Sequence, residues 1–178
     1  MYPITQRLSA AGYSPWVPIN RNQSSFHVAL AVILSSGAVL TYTVEYSLDN
    51  PNDPSNLTQA FILARTTTSL NVNWVAHGRS VGDWVKLWGN GGGQLDGEYQ
   101  VATVVDANNF TVTVANSGPT AGSGTGWIQS MRVYAHSTLT NLGVSASGDF
   151  GTPVIATRLR VSAYTTGTVD FEVVQGRG

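Results

Sequence analysis

The sequence predicts an all-β protein: a β-sandwich or jelly-roll-like domain, split in sequence, with a small β-barrel-like module inserted between its halves. Three observations predict it. Helical periodicity is nearly absent, because no stretch places apolar side chains at three- and four-residue spacing free of glycine, proline or β-branched runs. Short alternating or apolar runs bounded by turn residues recur along the whole chain. Charged residues are only 11% of the 178, against about 25% in an average soluble domain. The shortage is skewed as well, with Lys86 the sole lysine and glutamate present only at Glu45, Glu98 and Glu172.

The elements follow in chain order. Phe26 to Leu34 is an apolar run that reads as a strand buried on both faces. Val39 to Tyr46 alternates, with Leu40, Tyr42, Val44 and Tyr46 on one face and Thr41, Thr43 and Glu45 on the other. Ser35 to Gly37 between them has hairpin-turn composition. Two prolines and several Asn/Asp residues between Leu48 and Asn56 halt the sheet. Asp83–Trp88, Gly97–Val105 and Phe110–Ala115 read as further strands, the last two joined by a tight turn at Asp106–Asn109. Phe110, Val112 and Val114 share one face of theirs. Ile128–Tyr134 follows a glycine-rich stretch, and a polar loop runs on through Thr140. The chain closes with Ala156–Tyr164 and Thr168–Val174, linked by the hairpin-like Thr165–Gly167.

Composition places the domain boundaries. Residues 66–130 hold eleven of the 19 glycines and four of the five tryptophans, Trp74, Trp84, Trp88 and Trp127. They form the inserted module, and residues 1–65 with 131–178 form the split domain, since neither flank alone has strands enough to cover a sheet face. Met1 to Pro18, with Pro3, Pro15 and Pro18 among aromatics, reads as an extended arm.

Several functions are excluded or disfavoured on the same grounds. A net charge of −1 and a pI near 6.2 do not suit a phosphate-neutralising nucleic-acid binder. No cysteine is present, which removes thiolate catalysis and cysteine-ligated metals. The longest apolar run, Val28–Leu34, is far short of the roughly 18 residues a membrane helix needs, and no membrane association is expected.

The flanks carry a resemblance. Asp49–Pro51, His136–Leu139, Pro153–Val161, Gly167 and Val173–Gly176 give an Asp/Asn-Pro turn, a His-x-Thr-Leu segment, and a closing strand pair with a glycine turn and a Gln-Gly end. This pattern resembles a family of tailed-phage virion proteins. Within the insertion, His77-Gly78, Gly82-Asp83-x-Val85, Asp96-Gly97-x-Tyr99-x-Val101 and Asp106-x-Asn108-x-Phe110-Thr111-Val112 are similar to a small β module of phage tail and capsid proteins. The resemblance implies a non-enzymatic decoration or cement protein on the outer capsid surface, partnered by the major capsid protein. It implies a homo-oligomer too, a trimer sooner than a dimer. The alternative is a tail, collar or fibre component with a carbohydrate-binding module.

The candidate capsid contacts are Tyr2, Pro3, Arg7, Trp16 and Arg21, on or just after the arm. For the alternative they are Trp84 and Trp88, whose even spacing puts both indoles on one face of a strand, as a sugar-stacking platform or as the core of a small barrel; core is the favoured reading. Catalytic groups are thin. His27 reads as a packed or edge histidine; His136 beside Ser137 and Thr138 reads as a polar turn before it reads as a base and nucleophile. Asp83, Asp96 and Asp106 read as turn carboxylates and Gly89–Gly93 as a hairpin tip, not a phosphate loop. No cofactor and no metal are expected.

Overall fold

The computed structural model describes residues 3–20, 27–51, 58–66, 68–88, 96–114 and 124–175. Their regular secondary structure is β-strand throughout, divided between two compact units: residues Met1–Pro51 with Val133–Gly178, and residues Asn52–Arg132.

The first unit is a sandwich of two antiparallel sheets. One sheet orders its strands β1 (Ile4–Leu8), β15 (Val169–Gln175), β4 (Val28–Leu34) and β13 (Ala146–Phe150). The other orders β12 (Val133–Ala135), β5 (Val39–Ser47), β14 (Ala156–Thr166) and β2 (Gly12–Tyr13), with β3 (Val17–Pro18) also on β14. Their inner faces share one core, in which Leu30, Val32, Tyr42, Leu159, Phe171 and Val173 are all buried. The alternation of β5 holds, since Leu40, Tyr42 and Val44 enter the core and Tyr46 packs against it. Tyr42 is wholly buried and donates its hydroxyl proton to the Val144 carbonyl at 2.9 Å, while burial pushes the phenol pKa up.

Four expectations are corrected here. The two turns with hairpin composition are arches. β4 and β5 lie in different sheets, as do β14 and β15, so Ser35–Gly37 and Thr165–Gly167 each carry the chain across the sandwich. The arches stack on one another: Ser35 N–H donates to the Thr168 carbonyl and Thr168 N–H to the Ser35 hydroxyl, both at 2.9 Å. Gly167, at φ 96°, has no room for a side chain, because a Cβ would stand 2.5 Å from that of Ala38. Second, β4 is buried on one face only. Val28, Leu30 and Val32 face the core, while Ala29 and Ala31 are half-buried and Ile33 is exposed; the small alanines make a one-sided strand look apolar throughout.

Third, the residues read as an arm are sheet edges. β1 pairs along β15 from Ile4↔Val173 to Leu8↔Val169, and β2 and β3 pair with β14. Fourth, the boundary at residue 65 moves. β6 (Thr58–Arg65) is a stave of the inserted barrel, pairing with β7 (Ser69–Asn73) on one side and β11 (Gly124–Met131) on the other, so the sandwich half ends at Pro51. Its sequence, TQAFILAR, does not alternate and gives no strand signal.

The second unit is a closed six-stranded barrel in the order β10 (Asn109–Thr113), β7 (Ser69–Asn73), β6, β11 (Gly124–Met131), β8 (Trp84–Trp88) and β9 (Gly97–Val104). Leu70, Val72, Val85, Leu87, Phe110 and Ile128 fill its lumen. So narrow a barrel is packed solid with side chains. The β9–β10 hairpin turns where expected, with Asp106 N–H donating to the Asn109 carbonyl at 3.1 Å.

Candidate binding surfaces

The N-terminal candidates come first. Tyr2 and Arg21 lie outside the described residues. Pro3 is exposed just ahead of β1. Arg7, directly opposite Asp170, donates to both carboxylate oxygens, Nε to Oδ1 at 2.6 Å and Nη2 to Oδ2 at 2.7 Å. Those hydrogen bonds hold the Asp170 carboxyl below the usual carboxylate range. Trp16 is half-buried and stacks on the Arg158 guanidinium, 4.3 Å from its ring centroid, and Tyr13 lies at the same distance. Arg158 in turn donates from Nε to the Glu45 carboxylate at 2.8 Å, and Arg160 approaches the same carboxylate at 3.6 Å. Glu45 and Arg158 are both buried on the outward face of their sheet. Arg7 and Trp16 therefore bind the N-terminal strands to the sandwich, a role their sequence context does not reveal.

The histidines are structural too. His136 is buried, its Nε2–H donating to the Asp149 carbonyl at 3.0 Å while Nδ1 accepts from Thr138 N–H at 3.2 Å and Leu139 N–H at 3.3 Å. Both ring nitrogens are thus committed to backbone, as the turn reading expects. A groove of about 280 Å³ lies beside it, lined by Tyr46, His136, Asp149, Phe150 and Val154 among others. His77 in the barrel is held alike, by Arg79 N–H on Nδ1 at 2.9 Å and the Asp106 carbonyl on Nε2 at 3.0 Å. His27 is exposed at the start of β4, 3.8 Å from the Asp149 carboxylate.

The turn aspartates take the role expected of them where their contacts are defined. Asp106 accepts from Asn108 N–H at 2.7 Å and from the Asn109 side-chain amide, which lowers its pKa. Asp83 accepts from Ser80 N–H at 2.8 Å. Among the described residues no three His, Asp or Glu side chains stand where they could share a metal ion. Residues 89–93 lie outside the described residues.

Trp84 and Trp88 depart from the expected core, while Trp74 packs against it. On β8 the lumen takes Val85 and Leu87, so Trp84, Lys86 and Trp88 share the outer face. Trp84 is buried there, opposite Met131 and Gln100, and Trp88 is half-buried with the Lys86 ammonium 4.8 Å over its ring. Their even spacing does place them together; their size does not place them inside. The exposed member of the group is Trp127 on β11, directly opposite Trp88 on one side and Gln59 on the other, and 47% exposed. Ile128 pointing into the lumen is the signal that sets Trp127 outward.

No family model, curated protein or solved structure matches the chain.

Proposed function

We propose that the chain is a non-enzymatic structural protein of a virus particle, carried on the outer capsid surface as a decoration or cement protein. The observation that carries the non-catalytic part is where the titratable groups are spent. The two buried histidines are tied at both nitrogens to backbone, Glu45 is shared by Arg158 and Arg160, Asp170 is held by Arg7, and Asp106 closes a turn. A general base needs a nitrogen or oxygen turned toward a substrate. These groups are turned toward the fold.

The virion assignment draws on the sequence resemblance and on composition. Charge is scarce in both units, and arginine outnumbers lysine eight to one. Lysine and glutamate are depleted at protein interfaces while arginine and aromatics are enriched. In this reading the sandwich meets the major capsid protein and the barrel is displayed. A symmetric oligomer, a trimer sooner than a dimer, engages several capsid subunits at once and gains by effective concentration.

The test is add-back. Purified shells that lack this protein are mixed with the full chain, sedimented, and heated. Saturable binding that raises the temperature of shell disruption supports the reading; absence of binding at any concentration removes it.

A further inference from the structure

We propose that β1 is a docking edge for a second copy of this chain. Two β1 strands pair antiparallel about a two-fold axis at Gln6 and join two sandwiches along one continuous sheet. The inference stands on the sandwich alone and does not depend on the virion assignment. The contact is two-fold, and so separate from any three-fold contact within a trimer.

A sheet edge is open to further strands, and folded chains guard it with short strands, proline or charge. The four edges of the sandwich are not equally guarded. β12 is three residues long; β2 and β3 are two each, with Pro15 between them and Pro18 in β3. β13 carries Gly148 and the exposed carboxylate of Asp149. β1 has five residues in unbroken register with β15, no glycine or proline, and no strand beyond it among the described residues. Its one charge, on Arg7, is met by the Asp170 carboxylate through two hydrogen bonds, so it does not repel an incoming strand. The backbone N–H and C=O groups that β15 does not take face outward along this edge.

The side chains decide which strand fits. Ile4, Gln6 and Leu8 stand opposite Val173, Phe171 and Val169, on the inner face at the rim of the core, while Thr5 and Arg7 face outward. Leu8 packs against the core and Ile4 is 41% exposed. Gln6 between them is half-buried, and its Oε1 is buried without a hydrogen-bond partner. Apolar, amide, apolar is a pattern that complements itself. An antiparallel copy centred on Gln6 sets Ile4 against Leu8 at both ends and Gln6 against Gln6 in the middle. Facing glutamines exchange N–H···O bonds once each amide turns about its terminal torsions, so an oxygen unpaired in the single chain gains a donor. An unrelated strand would have to bring a matching amide to that one position. A second copy brings it by symmetry.

The chain has no cysteine, so single cysteines report the register without background. Directly opposite residues of an antiparallel pair have Cα atoms about 4.5–5.5 Å apart, within disulfide reach. Gln6→Cys, Ile4→Cys, Leu8→Cys and Ser162→Cys, the last an exposed position on the other sheet, are oxidised in the full chain with glutathione, and melting temperatures are recorded. The expected result is a disulfide-linked dimer of Gln6→Cys that forms about tenfold or more faster than one of Ser162→Cys. Ile4→Cys and Leu8→Cys should link to each other when mixed but not to themselves, since this pairing leaves like positions about 13 Å apart. Should Gln6→Cys not fold, that mixture decides alone. Sedimentation of the native chain at about 100 µM should show self-association, weakened about tenfold or more by Gln6→Lys, which sets two ammonium groups across the axis. A Gln6→Cys that links no faster than Ser162→Cys overturns the proposal. So does self-linking of Ile4→Cys, the mark of a parallel pairing, and so does association that Gln6→Lys leaves unchanged. A chain that stays single at about 1 mM leaves the edge to a strand of another protein and overturns it as well.

Discussion

His77 and His136 stand in different units of the chain yet are locked by the same local arrangement. Each accepts a backbone N–H on Nδ1 from the residue two positions on, Arg79 or Thr138, and each donates from Nε2 to the carbonyl of an aspartate, Asp106 or Asp149. Each also sets its ring against a phenylalanine, Phe110 or Phe150, at a centroid distance of 5.1 Å and with the planes at 68° and 60°. A neutral imidazole with one donor and one acceptor is the side chain that satisfies this pair of backbone groups at once. Histidine is used here as a rigid polar strut.

The first prediction follows from that use. Replacing His136 by alanine leaves the Thr138 and Leu139 amides and the Asp149 carbonyl without their partner and opens a void beside Phe150. The expected loss is about 2–4 kcal/mol of unfolding free energy, read by urea denaturation. His77→Ala should cost a similar amount. A loss under about 0.5 kcal/mol, the range of ordinary surface substitutions, would mean the imidazoles are not struts.

The stacked arches make a second prediction, a contrast between two glycines with positive φ. At Gly167 a new Cβ meets Ala38 at 2.5 Å, whereas at Gly37, φ 73°, it meets open space. Gly167→Ala combines left-handed strain with overpacking and should cost about 2–4 kcal/mol. Gly37→Ala carries the strain alone, about 1–2 kcal/mol, and Gly37→Asn less. Equal costs at the two positions would contradict the packing of one arch against the other.

Acid should weaken the fold in a defined window. The Asp170 carboxyl is lowered by its hydrogen bonds to Arg7, and the Asp106 carboxyl by those from Asn109 and Asn108. A carboxyl lowered in the folded chain contributes stability above the unfolded value, near 3.9. That contribution disappears as pH falls through the lower folded value. The melting temperature should decline below about pH 4, and the Asp106→Asn, Asp170→Asn double variant should decline less steeply. The effect is modest, since both groups are near the surface. Parallel slopes for the variant and the native chain would refute it.

Glu45 and Arg158, opposite one another on β5 and β14, give a prediction of coupling. Glu45→Ala strips the buried Arg158 of a carboxylate and should cost about 3–5 kcal/mol. Glu45→Ala combined with Arg158→Met removes both charges and should cost less than the sum of the single changes, measured by a double-mutant cycle. Additive costs would show that the pair is not a unit.

Particular residues show what was legible in the sequence. The faces of Leu40, Tyr42 and Val44, and of Phe110, Val112 and Val114, follow from period two, because each strand has a dry side and a wetter one. The arches at Gly37 and Gly167 were not legible. A turn with positive φ suits either a hairpin or a crossing between sheets, and the sheet a strand joins is decided by partners far away in sequence. The polar, glycine-containing β13 and the unpatterned β6 gave no local signal. Size misleads at Trp84 and Trp88, because β8 turns Val85 and Leu87 into the lumen and sets both indoles on its other face. The candidate contacts Arg7 and Trp16 were visible as residue types only. Their partners, Asp170 and Arg158, lie more than a hundred residues away.

The central claim is that this chain decorates a capsid. The most direct measurement is its copy number in purified particles, by quantitative mass spectrometry against the major capsid protein. A decoration protein that follows the repeating lattice of the shell should be present on the order of hundreds of copies per particle, in a fixed ratio to capsid subunits. A chain absent from intact particles, or present at about a dozen copies or fewer as a tail or collar part would be, contradicts it.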